Sequence, residues 1–274
     1  MMARALPWIL VTPGLAAIAI FLLLPLGATV ATTFDLSDPF GSYAAFFADD
    51  FARGVLIRTM RIALIVTVIA IVLGLPAAAY IARCRASWRS VLIVCAVFPL
   101  LTGTVVRSFA WIAILGRNGI VNEALVGIGL ISEPLTLLYT EFAIISGLVY
   151  LFTPLMILSL VGVLENIDRD LMAASRSLGA TPVATFFQVT LPLAVPGLIV
   201  GSVLVFTGSF TAYTTPLLLG GQRNTVLATF LYREAMVNFD WAAAGTIAVI
   251  MMVATVAIVL AMGRLARRLN PEAG

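Results

Sequence analysis

The side chains that ordinarily carry enzyme chemistry are nearly missing from this sequence. His is absent, which removes imidazole base catalysis and the commonest transition-metal ligand. All sixteen basic residues are Arg, so neither a Ser–Lys dyad nor a Schiff-base Lys is available. The only thiols are Cys84, near an expected cytoplasmic edge, and Cys95, inside an apolar run; both read as small packing residues rather than a disulfide. Five inner apolar stretches (62–82, 91–106, 142–163, 197–219 and 242–262) hold no carboxylate, so a diaspartyl or metal site within them is excluded. The expectation is a protein that is not an enzyme, with no catalytic residues, no cofactor and no metal.

Aromatic rings and one deep charge are the chemistry that remains. Trp111, Tyr150, Phe206, Phe210 and Tyr213 offer ring faces, and the last three share one helical face by i, i+4, i+7 spacing. A cation over such a ring gains about 0.5–2 kcal/mol, so the stripe reads either as the lining of a cation path or as ordinary helix packing. Arg107 is the most deeply placed charge. It reads as a gate, as a partner of Glu141 or of a second subunit, or as a side chain snorkelling to the outer surface.

Six long apolar elements must position these residues. With 62% hydrophobic and 11% charged residues over 274 positions, the chain has more apolar surface than a water-soluble core can bury. The net charge of +3 is spread as single Arg residues, poor footing for nucleic acid. Apolar runs of roughly 20 residues, the length a bilayer requires, lie at Pro7–Ala31, Ile62–Ala82, Val91–Leu115, Tyr139–Leu164, Pro196–Leu219 and Ala242–Met262. The first exceeds the h-region of a signal peptide, about 7–15 residues, and is read as retained. The fold class is therefore an all-α integral membrane protein with six transmembrane helices in contact with lipid. With both termini inside, the inner segments carry nine Arg against four acids and the outer segments seven Arg against nine acids. Positive residues favour the cytoplasm, so the termini are expected there.

One inner segment, about residues 165–195, is long enough to do more than connect spans. Asp168 is placed to cap a helix on which Leu171, Ala174 or Ser175, and Leu178 recur on one face. Gly179 suits its stop, Thr181-Pro182 restarts a second helix, and Val183, Phe186, Phe187 and Leu191 extend an apolar face until Pro192, where a break is expected. Two short helices with exposed apolar side chains suit docking on a partner or resting among lipid headgroups.

The run Leu171-Met-Ala173-Ala174-Ser175-Arg-Ser-Leu178-Gly179, followed after nine residues by Val189-Thr-Leu191-Pro192, resembles the EAA loop of ATP-binding-cassette (ABC) importer permeases with a type I transmembrane fold. Ala173 stands where that pattern has Glu, and Ser175 where it has its second Ala. The resemblance implies that this loop is the helix pair seated in a groove of the ATPase. It further implies an ABC ATPase, a second permease (a heterodimer) and a periplasmic solute-binding protein as partners, in a bacterial inner membrane. The segments Arg107–Trp111, Arg117–Asn122, Glu133–Tyr139, Thr215–Gly221 and Asn238–Trp241 are similar to the first permease of spermidine/putrescine-type importers. That implies a polyamine-type solute, with iron, thiamine or aminophosphonate as alternatives; a secondary transporter is the rival class. By the same resemblance the core module covers 55–264, preceded by a first span and outer loop in 1–54 and followed by a cytoplasmic tail, 265–274. Gly197, Gly201 and Gly208 suit close helix approach. An amphipathic helix around Thr225–Met236, with Val226, Phe230 and Val237 on its apolar side, is expected to touch the binding protein.

Overall fold

The structure, a computed structural model, describes residues 2–34 and 38–269, and every regular element among them is helical. Five helices are long and apolar enough to cross a membrane, and a bent pair makes a sixth crossing if counted as one. The chain divides into two compact units, Met1–Gly54 with Phe230–Val253, and Val55–Thr229 with Ala254–Gly274. Of the expected tail, residues 270–274 lie outside the described residues, as does Asp35, one of the acids counted on the outer side. So do the side chains of Arg4, Arg169, Arg267 and Arg268.

The first unit contains α1 (Met2–Ala31), α2 (Gly41–Ala48), the first turn of α3 (Asp50–Arg83), most of α12 (Leu227–Met236) and the first half of α13 (Trp241–Leu269). Helix α1 passes through Pro13 and Pro25, and the Thr29 hydroxyl donates to the Pro25 carbonyl at 2.8 Å. Its side chains from Ile18 to Leu24 are exposed within the chain, as suits a helix facing lipid or another subunit. Phe51 and Phe230 meet edge to face with centroids 5.4 Å apart. The Arg233 guanidinium covers both rings, at 5.3 and 5.1 Å.

In the second unit α7 (Glu141–Leu164) is central, starting within two residues of the expected span. Thr140 caps it, accepting the Ala143 N–H. Its Ile144, Leu148, Met156 and Leu160 are fully buried, against Ile62, Val66 and Ala70 of α3 among others. Helix α10 (Leu191–Thr211) packs on α7 through small residues, as expected. A Cβ on Gly201 would stand 2.6 Å from Met156 Sδ, and one on Gly208 2.5 Å from Phe152 Cε1. The Ser159 hydroxyl donates to the Gly197 carbonyl at 2.7 Å, an interhelical bond made possible by that approach.

Two spans differ from expectation. The expected Val91–Leu115 span is α4 (Ala86–Leu101) and α5 (Thr104–Leu115), the latter leading into α6 (Ile120–Gly127), with a bend of 93° at the break. Thr102 and Gly103 both take extended conformations there, and Pro99 has already removed one ladder donor. The expected Pro196–Leu219 span is displaced toward the N-terminal side. A helical run crosses Pro182–Thr211 without stopping at Pro192, through α9 (Pro182–Thr185), a π-helical turn (Phe186–Thr190) and α10. The wider turn, closed by the Leu191 N–H on the Phe186 carbonyl, accommodates a proline that would clash in a regular ladder. The chain then turns at Ala212 and forms a short α11 (Thr214–Gly220), packed on α7 where Gly147 admits Thr215 and Leu219.

Candidate functional site

The 165–195 loop is built from strong local signals. Asp168 accepts the Asp170 N–H at 2.9 Å and starts α8 (Arg169–Ser177). The helix ends in a Schellman turn: Gly179 N–H reaches the Arg176 carbonyl at 2.9 Å and Ala180 N–H the Ser175 carbonyl at 3.2 Å, with Gly179 at φ 87°. Thr181 accepts the Ala184 N–H at 3.2 Å and Pro182 takes the first position of α9. The side chains then sort into two faces. Leu171, Ala173, Ala174, Leu178, Val183 and Phe187 are exposed, Leu178 at 89%. Met172 and Ser175 turn toward the bundle, and Phe186, Val189 and Leu191 are half-buried beside them. Pro192 is exposed but lies within the helix.

The inward side meets the ends of α3 and α7. The Arg83 guanidinium donates to Thr190 Oγ1 at 3.3 Å and approaches Met172 Sδ at 3.5 Å. Arg89 covers the last carbonyls of α3, at Ala82 and Cys84, and pairs with Glu165 at 3.4 Å. Ser175 Oγ and Thr185 Oγ1 share a hydrogen bond at 3.1 Å.

The residues expected along a path separate. Arg107 is 5% exposed, so it does not snorkel, and it does not pair with Glu141. It donates from Nη1 to the Pro99 carbonyl at 2.8 Å and the Thr102 carbonyl at 3.2 Å, capping the end of α4 at the break. Glu141 pairs instead with Arg58 at 3.3 Å and Arg61 at 2.5 Å. Phe206 and Phe210 are buried and stacked with centroids 5.8 Å apart, so within this chain they pack the bundle. Trp111 and Tyr150 meet edge to face at 6.0 Å and stay partly exposed, as does Tyr213.

Sequence reasoning missed Asn122. Its amide donates to the Gly116 and Leu135 carbonyls at 3.0 Å each and accepts the Leu135 N–H at 2.8 Å, tying the segment after α6 back to the end of α5. The Arg117–Asn122 motif was its signal, and no partner could be read from it. The expected amphipathic helix exists as α12, but Val226 and Phe230 are buried and only Val237 of the three is exposed. Its apolar side is therefore mostly internal.

The family described as "binding-protein-dependent transport system inner membrane component" matches residues 1–272. The spermidine/putrescine transport system permease protein PotB of Haemophilus influenzae is 35% identical over 177 residues, 65% of this chain and 62% of that relative, less than two thirds of its length. PotB of Salmonella typhimurium is 28% identical over 263 residues, covering 93% of this chain and 92% of the relative. Among solved structures, a bacterial ABC transporter involved in the import of the acidic polysaccharide alginate matches with TM-score 0.78 at 20% identity, covering 98% of each chain. The MetNI methionine ABC transporter matches with TM-score 0.63 at 18% identity, covering 81% of this chain and 99% of that one. At these identities the structural matches establish the fold.

Proposed function

The chain belongs to the family of binding-protein-dependent transport system inner membrane components, the permease subunits of ABC importers, and from that premise we propose that it carries a polyamine-type cation across the bacterial inner membrane. The cation is delivered by a periplasmic binding protein. A separate cytoplasmic ATPase drives transport, and a second, different permease completes the path. Family membership sets aside the secondary-transporter reading.

One observation supports docking of the ATPase on the 165–195 loop. Its two short helices hold Leu171, Leu178, Val183 and Phe187 exposed on a turn fixed by Gly179. Burying such side chains yields roughly 1.5–3 kcal/mol each, so the face is costly in water and favourable against a partner. Headgroup resting is the weaker account. Interfacial helices are rich in basic residues on the polar side, whereas α8 and its cap carry Asp168 and Asp170 against Arg169 and Arg176.

The cargo assignment is supported by similarity to PotB over 93% of the chain. With no carboxylate in the inner stretches, the ring faces of Trp111, Tyr150 and Tyr213 are this chain's contribution to a cation path, and anionic groups come from the second permease. The Arg distribution supports cytoplasmic termini. The core module is assigned to 55–264, after a first span and outer loop in 1–54.

The test is uptake of labelled spermidine into proteoliposomes holding both permeases and the ATPase, with the binding protein supplied. Unlabelled putrescine should compete, while thiamine, ferric iron and aminophosphonate should not. Uptake indifferent to putrescine but blocked by one of the others overturns the cargo assignment.

A further inference from the structure

The outward face of α8 is free for a partner, so whatever displacement a partner imposes must leave through the inward face. Among the described side chains of α8, that face carries Met172 and Ser175. Met172 reaches Arg83, at the end of α3, through a soft sulfur contact of 3.5 Å. Ser175 reaches Thr185 through a hydroxyl pair at 3.1 Å. Thr185 is 3% exposed and is the last residue before the π-helical turn that leads into α10. Between α8 and α9 the backbone passes through Gly179 at φ 87°, in the turn closed by the Gly179 and Ala180 N–H groups. That turn holds the two helices at one corner only. The hydroxyl pair closes the triangle.

We propose that Ser175 and Thr185 are positioning residues, whose hydrogen bond makes α8 and the entrance of the π-helical turn move as one body and so passes the displacement of the docked loop to α10. The inference rests on the docking reading above. Ser175 stands where the resembled pattern has its second Ala, and it supplies one of the two hydroxyls. Without the bond, Thr185 Oγ1 is left buried without a partner in the connected state only, which biases the loop toward arrangements that no longer drive α10. Both hydroxyls lie away from the exposed apolar face, so their removal leaves the seat of the partner unaltered.

The test uses the complete transporter in proteoliposomes, with the binding protein as isolated from the periplasm. Thr185→Val, nearly the same shape without the hydroxyl, should retain the ATPase on purification and hydrolyse ATP at the unstimulated rate. Stimulation of hydrolysis by the binding protein should fall roughly tenfold, the effect of one part-buried hydrogen bond and the partner it leaves unmet. Ser175→Ala should reproduce the loss, the double variant should be no worse than either single, and Ser175→Thr should restore stimulation by returning a hydroxyl. Normal stimulation in Thr185→Val, additive losses in the double variant, or loss of the bound ATPase in either single variant overturns the inference. The docking reading fails separately, if substitutions on the exposed face such as Leu178→Glu leave the ATPase bound.

Discussion

Gly179 allows backbone geometry to be separated from packing. Its φ of 87° lies in the left-handed region, and a Cβ built there meets nothing within 4 Å. Any loss of folding on substitution therefore comes from the turn or from new charge, and not from a clash within this chain. An L residue with a Cβ costs about 1–2 kcal/mol in this region, which lowers the fraction of correctly turned loops roughly 5–30-fold, since about 1.4 kcal/mol is tenfold. Asn and Asp enter the region more readily than other side chains, and β-branched residues least. The expected order of ATPase retention and uptake is then Gly, Asn, Ala, Val, from best to worst, with all variants inserted at normal levels. Gly179→Asp should lie well below Gly179→Asn. The two share a backbone preference, but an unpaired carboxylate desolvated against a partner costs several kcal/mol. Co-purification of the ATPase and uptake in cells measure both effects. If Val retains the ATPase as Asn does, the Schellman turn does not aim α8. Equal retention by Asp and Asn would mean that the surface beside Gly179 is not buried by a partner.

Three further outcomes follow from other contacts. Arg107→Met removes the donor to the part-buried Pro99 and Thr102 carbonyls, and an unmet acceptor costs up to about 1–3 kcal/mol; the purified subunit should lose several degrees of thermal stability, with Arg107→Lys intermediate, and an unchanged melting temperature refutes the capping role. Gly201→Val drives a side chain into Met156, whose Sδ already stands 2.6 Å from the Cβ position; overpacking of about 1–3 kcal/mol should lower folded yield, whereas Gly162→Ala, with nothing within 4 Å, should not. Cysteines placed at Asp49 or Gln222 should label from outside intact cells and one at Arg176 should not; the reverse pattern overturns the orientation.

Legibility in the sequence followed the range of the interactions. Helix α7 was readable because its apolar run lies within one segment. The α8–α9 turn was readable because Asp168, Gly179, Thr181 and Pro182 each act within a few residues of themselves. The break after Leu101 was not, because apolar residues continue through it and its brace, Arg107, reaches back eight residues to Pro99. Pro192 looked like a stop because the rule it invokes assumes four-residue ladder spacing, and the π-helical turn changes that spacing. Phe206 and Phe210 share a face as expected, but periodicity reports that a face exists and not what it meets. The same limit hid the inward orientation of Val226 and Phe230.

Helix α3 joins two anchored ends without interruption: Arg61, paired with Glu141, and Arg83, bonded to Thr190. The interval of 22 residues spans about 33 Å, close to one hydrocarbon thickness, and at roughly 100° per residue returns to within about 40° of the same azimuth. The two arginines therefore share a phase. Inserting one alanine between Ile62 and Ala82 advances one end by about 100° relative to the other, so no placement of the helix keeps both anchors, although composition and hydropathy hardly change. Seven inserted residues restore the angle to within about 20° while displacing one end by about 10 Å. Length variation in this stretch is thus opposed by registry rather than by chemistry, whereas substitution leaves the registry intact.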